Sequence, residues 1–437
     1  MTTTEPPPAE AAPAEAAPGP AKTCPVMHGT QLAAAERDLL DYPFSGAVPL
    51  DPPVEWEQVR EQCPVVAVRL PSGDEAHLVT RYEEARALLA DPRFTRQIPV
   101  DAESRIGASE DGGVFSRQAT SGLKIFEGEG HLRWRRLMAK AFTIKRVESM
   151  RPRIQALADE LVDKMVAAGP RADIARDIGA ILPVRVIGDL LGVPTEDLHR
   201  FAAWSDAILT LTRHSKDEVD AARQDFGIYL AKLIEAKRAE PGDDLLSELI
   251  NITDSEDGRL DMVELIVTAM AILVAGHETT ANMIGKMTAM LLADRSRFES
   301  VVADPSIVPS AVDEVLRFDT NPSIGVPRYV SEDIAVGGAE IEAGSTVIVS
   351  PAIANRDPRR FPEPERMDLR RTNNQHLSFG AGPHFCLGQP LARAELQVVL
   401  STLARRLPTL RLAIDRRELR VKQGLIVVGF EEVPVEW

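Results

Sequence analysis

Cysteine is scarce: only Cys24, Cys63 and Cys386 occur in 437 residues, at wide and irregular spacing. That excludes a disulfide framework, and without a C-x-x-C pair the usual structural zinc site is excluded too. A reducing cytosol is the expected compartment. Positive charge is also short, with 50 Lys+Arg against 66 Asp+Glu and a formal net charge of −16. A general nucleic-acid binder, which needs a basic excess on at least one face, is therefore not expected. No stretch of about 18 apolar residues runs uninterrupted by charge, and the N-terminus has no apolar run of signal length, so neither a membrane span nor a leader is expected. What remains is ordinary for a globular chain, 44% hydrophobic and 27% charged, enough to bury a large core. By length alone it could form two or three average domains or one large one.

Residues 1 to 22 are a Pro/Ala/Glu tract that cannot bury enough apolar area to offset its ordering entropy. We expect residues 1–41 to be a disordered tail with its lead-in, and residues 42–437 to be one domain without internal repeats. Residues 64–80 contain PVVAVRL and AHLVT around PSGDE, the pattern of a hairpin. Stretches 146–168, 217–238 and 259–292 carry apolar residues at three- and four-residue spacing, so the body is predicted to be mainly α. β-branched segments follow at 334–349, then an irregular Pro/Arg/Asn-rich loop at 355–375, an amphipathic helix after Cys386, and strand-like segments at 408–414 and 420–430.

Phe379-Gly380-Ala381-Gly382-Pro383-His384-Phe385-Cys386-Leu387-Gly388 places glycines, a proline and an aromatic just before a cysteine that opens a predicted helix. Glycine lets a backbone turn tightly and approach a flat ligand, and Phe379 and Phe385 can shield the sulfur. Backbone N–H groups at a helix start favour thiolate over thiol, and a thiolate is an electron-donating ligand for haem iron. A lone cysteine is more often a small buried residue, but this context matches F-G-x-G-x-H-x-C-x-G at every fixed position. The loop resembles the haem-binding loop of the cytochrome P450 family.

Three weaker motifs stand in that family's order. His131 and Arg135, at i and i+4, share one helix face; the resemblance makes them contacts for haem propionates, with Arg328 and His384 completing the set. Ala275-Gly276-His277-Glu278-Thr279-Thr280 puts glycine, acid and hydroxyls inside the longest apolar helix, where they cost helix propensity, so a locally opened helix is predicted. The plain alternative is a glycine kept for close packing. By the resemblance Ala275 and Gly276 lie over the haem, Thr279 assists dioxygen activation, and Glu278 belongs to the relay that brings protons from solvent. A zinc-protease H-E-x-x-H reading fails because Ala281 stands where the second histidine must be. Glu314-Val315-Leu316-Arg317 pairs opposite charges at i and i+3. The same spacing recurs at Glu57, Glu83, Glu148, Glu235, Glu256 and Glu363, so only its place before the cysteine loop marks Glu314 and Arg317 as the family's structural E-x-x-R, locking onto the loop around Arg356 to Arg370.

The resemblance implies a mainly α, single triangular domain with a smaller β-rich lobe, haem b held on Cys386, and dioxygen as co-substrate. One oxygen atom enters a small hydrophobic organic substrate, and NAD(P)H acts indirectly through a separate ferredoxin and ferredoxin reductase. Arg133 and Arg136 are expected to face outward and dock an acidic ferredoxin. By analogy the chain looks actinobacterial and its role is secondary-metabolite tailoring. Substrate selection is expected in 98–125, 205–218, Ser323 to Val326 and Gly424 to Ile426, with Ile324, Val326, Leu425 and Ile426 as an apolar wall. Two competitors remain: the same iron used for oxidative coupling, epoxidation or nitration, and a non-enzymatic haem gas sensor, against which the Glu278–Thr279 pair argues.

Overall fold

The computed structural model describes residues 39–46, 48–98, 106, 124–251 and 260–437. The expected tail, with Cys24, and most of the expected substrate loop 98–125 lie outside these residues. The helices in chain order are α1 (Glu55–Gln62), α2 (Tyr82–Ala90), α3 (Gly128–Ala141), α4 (Ile144–Ala168), α5 (Leu182–Leu191), α6 (Leu198–Ile208) and α7 (Lys216–Ala239). They continue with α8 (Leu245–Asn251), α9 (Met262–Ala293), α10 (Arg295–Ala303), α11 (Val308–Phe318), α12 (Pro351–Ala354) and α13 (Gln389–Arg406). Strands are β1 (Leu40–Asp41), β2 (Val65–Arg69), β3 (Glu75–Val79), β4 (Phe94–Thr95), β5 (Arg171–Asp173) and β6 (Val326–Val330). The last five are β7 (Ile334–Val336), β8 (Ala339–Ile341), β9 (Thr346–Val349), β10 (Arg411–Leu412) and β11 (Pro434–Glu436).

The long helices begin where a side chain can take the orphan N–H groups. Thr143 accepts from Arg146 N–H before α4, and capping boxes start α7 (Ser215 with Glu218) and α9 (Asp261 with Glu264). α5 stops at Gly192, whose φ of 64° is the left-handed turn glycine makes without strain. By length and composition α9 is apolar enough to cross a membrane. Here it is the core helix, packed by α5, α7, α10, α11 and α13. α13 lies along α4, burying Leu396, Val399, Leu400 and Leu403 in the same large cluster as Leu157 and Leu161. Each such side chain stabilises the fold by roughly 1.5–3 kcal/mol relative to exposure.

The predicted hairpin is β2–β3, antiparallel with Val68 opposite Ala76. It joins a six-stranded sheet in the order β1-β2-β3-β9-β6-β4. β1 pairs in parallel with β2, so ordered pairing begins two residues before the expected boundary at 42. A three-stranded sheet β10-β11-β5 and the β7-β8 pair complete the β structure. Helices therefore form one cluster and the main sheet two smaller ones, with the cysteine loop where they meet.

Candidate active site

The cysteine loop closes on itself: Cys386 N–H donates to the Phe379 carbonyl at 2.9 Å, and Gly380 N–H to that of Leu377 at 2.8 Å. Gly382 has φ 69°, and a Cβ there would lie 2.6 Å from the Leu89 carbonyl oxygen, so a side chain would drive the loop off α2. Cys386 lines a cavity of about 420 Å³. Cys386 is exposed to the space of that cavity, yet protein surrounds it, and burial pushes its thiol pKa up. The N–H groups of Gly388 and Gln389, with Arg135 and Arg393, pull the pKa down without offsetting burial. This corrects two expectations. α13 starts three residues after the cysteine, and the helix start alone does not make a thiolate.

One end of the cavity is cationic. His131 and Arg135 of α3, His384 of the cysteine loop and Arg96 beyond β4 all line it. The His131 and His384 rings lie 4.1 Å apart. His131 Nδ1 is 2.9 Å from the Ile125 carbonyl and Nε2 is 3.3 Å from that of Pro383. Glu127 is the carboxylate set among these groups, 3.4 Å from His384 Nε2 and accepting from the Arg96 backbone N–H. Burial pushes the Glu127 carboxyl up, but His384, the Arg96 N–H and Arg328 outweigh it and hold it below its ordinary value. Arg328 is brought down to about 10 by burial and by the neighbouring Arg96, against Glu127. Two desolvated guanidiniums thus share one carboxylate.

Across the cavity runs α9, contributing Ala275, Gly276, Thr279 and Thr280 to the wall. The predicted opening is absent: the helix is continuous from Met262 to Ala293. Thr279 Oγ1 donates to the Ala275 carbonyl at 2.6 Å, and Asn321 Nδ2 donates to the Thr279 carbonyl at 2.6 Å. These bonds occupy the competing hydroxyl without breaking the helix. Gly276 serves packing as well as the wall, since a Cβ there would lie 2.7 Å from Ile187 Cδ1 of α5. His277 is buried, with Nδ1 donating to the Leu273 carbonyl at 2.8 Å.

Beneath the cysteine loop, Glu314 and Arg317 are fully buried and doubly hydrogen-bonded, both contacts at 2.8 Å. The knot also includes Arg371 Nε, Asn374 Nδ2 and the Asp368 N–H on the carboxylate, and the Asn355 and Pro364 carbonyls on Arg317. The pair locks onto the predicted stretch at Pro364 and Asp368, and Arg371, just past it, adds a second cation.

A model of the family described as "Cytochrome P450" matches residues 300–409. The mycinamicin IV hydroxylase/epoxidase of Micromonospora griseorubida is 41% identical over 397 residues, 91% of this chain and 98% of that one. The chain belongs to the cytochrome P450 family. The nocardicin C N-oxygenase of Nocardia uniformis subsp. tsuyamanensis is 40% identical, covering 92% of this P450 and 99% of that enzyme. A crystal structure of the putative thioether synthase SgvP superposes with TM-score 0.84 at 38% identity, covering 92% of this chain and all of that one. The fold is the P450 fold, and the chain is a P450 monooxygenase of the kind found in bacterial secondary-metabolite pathways.

The P450's residues fit a haem. The Cys386 sulfur faces an apolar cavity, His384 Nδ1 is buried there without a protein partner, and the cationic end has more positive charge than Glu127 balances, matching the two propionates of haem b. A metal cation on the sulfur stabilises the thiolate that burial disfavours.

The site departs from the sequence expectations in several places. Phe379 and Gly388 line the cavity, but Gly380 and Arg328 do not. Arg328 Nη1 donates to the Pro327 carbonyl at 2.8 Å, and Arg96, which no motif marks, takes the wall position. Arg133 does not project freely to a partner: it pairs with Glu264 at 3.1 Å and ties α3 to the start of α9. Ile324 and Val326 pack in the two sheet clusters, and Leu425 and Ile426 are buried behind the wall. Pro322 and Val427 line the cavity beside them. The junction after α6 closes against the C-terminal segment, with Leu211 N–H on the Gly424 carbonyl and Ile426 N–H on that of Leu209. Its apolar pattern therefore marked a seam, not a wall.

Proposed function

We propose that this P450 inserts one atom of dioxygen into a small hydrophobic organic substrate in secondary-metabolite tailoring, with electrons from a separate ferredoxin and ferredoxin reductase drawing on NAD(P)H in the cytoplasm. The observation that carries the reading is that Cys386 and the Ala275, Gly276 and Thr279 face of α9 line one apolar cavity with a cationic end. Cys386 would hold the haem iron, and His131, Arg135, His384 and Arg96, with Arg328 behind, its propionates. When bound, the haem supplies dioxygen activation and the oxidation itself.

The chain's own residues do the rest. Trp134 Nε1 donates to Thr268 Oγ1 at 2.9 Å and so joins α3 to α9 on both sides of the cavity. Val267, Ala271, Ile272 and Val427 give the substrate space apolar walls that exclude water. Thr279 holds a proton at Oγ1 beside the cavity, and Glu278, one residue away, can take one from solvent and pass it on. The relatives' names, a hydroxylase/epoxidase and an N-oxygenase, support an outcome of oxygen insertion over gas sensing.

The reduced, carbon-monoxide-bound absorption spectrum tests the core of this. A red-shifted thiolate-type Soret band lost in Cys386→Ala is expected; a band that survives the substitution overturns the assignment. Spin-state titration against macrolactones, terpenes and peptides then screens substrates, and turnover unaffected by omitting the ferredoxin would remove the electron-donor proposal.

A further inference from the structure

Glu278 does not face the cavity that its role requires it to serve. Its carboxylate sits behind α9, where Asn282 Nδ2 donates to Oε1 at 3.2 Å. Lys422 Nζ, from the C-terminal segment, lies 3.6 Å from the same oxygen and donates to Asn282 Oδ1 at 3.2 Å. The other oxygen is 3.7 Å from His277 Nε2, a buried nitrogen with no hydrogen-bond partner. Asn282 is confined, since a Cβ on Gly429 would lie 2.2 Å from its Oδ1. Glu278 and Lys422 are 17% and 29% exposed, so water screens the pair less than an open surface bridge.

Lys422 is itself held in place. Its N–H donates to the Gly429 carbonyl at 2.9 Å, and Val421 bridges Phe430, making 421–430 a narrow hairpin. The tip is fastened by Leu211 and Thr212 N–H on the Gly424 carbonyl, and the return arm by Val428 N–H on the Asn321 carbonyl. A side chain this flexible is normally a poor positioner; anchoring at base, tip and return arm fixes where its stem begins.

We propose that Lys422 is a positioning residue for Glu278: it holds the carboxylate turned away from the cavity, so that proton transfer toward Thr279 waits on the release of this ion pair. The proposal rests on the Glu278–Thr279 reading above. With Lys422 gone, the Oε1 side loses its cation and keeps only the Asn282 amide, and the carboxylate is free to swing inward.

The test uses the haem-loaded full chain with NADPH, a plant-type ferredoxin and its reductase, without organic substrate. Reductant consumed per hydrogen peroxide released distinguishes two-electron from four-electron reduction of dioxygen, and the H₂O/D₂O rate ratio reports proton delivery. Lys422→Met should raise the rate of reductant oxidation and lower the solvent isotope effect, by about twofold, while Lys422→Arg restores wild-type values. Glu278→Gln should move both in the opposite sense. In the reduced carbon-monoxide complex, the His277 ring resonance, assigned with His277→Gln, should titrate higher in Lys422→Met, because Lys422 depresses and Glu278 raises its proton affinity. A Lys422→Met protein matching wild type in isotope effect and His277 titration overturns the positioning role. If Glu278→Gln is also without effect, the underlying relay reading fails too; if only Glu278→Gln has an effect, that reading stands and the positioning role alone falls.

Discussion

Glu314 and Glu395 are equally sequestered, at 0% and 1% exposure, and chemically opposite. Glu314 is surrounded by Arg317, Arg371, the Asp368 N–H and Asn374. Glu395, on α13 in the cavity wall, has an Oε2 with no partner, and burial alone raises its pKa well above the ordinary value. A buried carboxylate is a structural charge where donors converge on it and a neutral acid where none do. The first locks the loop that presents Cys386; the second leaves a polar group in an otherwise apolar wall.

The strongest way to break this comparison is Arg317→Met. It leaves the Glu314 carboxylate with fewer donors and orphans the Asn355 and Pro364 carbonyls, a loss of about 3–5 kcal/mol typical of a severed buried pair. Urea unfolding should show that loss together with reduced haem content, and Arg317→Lys should not rescue it, because an ammonium cannot span the same forked contacts. A variant with unchanged stability would mean the knot is ornamental.

Gly276→Ala is next. The added methyl meets Ile187 Cγ1 and Cδ1, both at 2.7 Å, so a cost of about 1–3 kcal/mol is expected. Ile187→Val, which removes Cδ1, should recover part of it in the double variant, measured by thermal unfolding. Strict additivity of the two substitutions would mean that Gly276 is kept for the ligand face alone.

Glu395→Gln is the smallest and tests the other half of the comparison. Because the folded state keeps Glu395 protonated while the unfolded chain releases that proton near its ordinary value of 4.5, the wild type should lose stability as pH rises above that value. The glutamine variant should lack this decline, so urea midpoints at pH 5 and pH 8 should diverge in its favour. Parallel midpoints would mean that Glu395 finds a partner in solution and belongs with Glu314.

Legibility followed locality. The β2–β3 hairpin and helices α4, α7 and α9 were readable because their apolar periods and turn residues are contiguous, and α9 begins three residues after its predicted start. β1, β5 and β11 were not read: two or three residues carry no alternation, and only their partners make them strands. Thr279, Glu314 and Cys386 stand out by motif, whereas in sequence Ile324 and Leu425 look like wall residues because buried apolar residues look alike whichever side they pack on.

By itself the sequence determined the family and singled out Cys386, because a ten-residue loop holds the sulfur and the turning glycines in one local unit just before the following helix. The tertiary structure decided the charges around it. Arg96 reaches the cationic end because β4 pairs with β6, setting Thr95 opposite Tyr329 beside Arg328, and Lys422 reaches Glu278 because the hairpin folds back onto α9. Electrostatic partners act through space, and spacing along the chain does not encode which distant charge arrives.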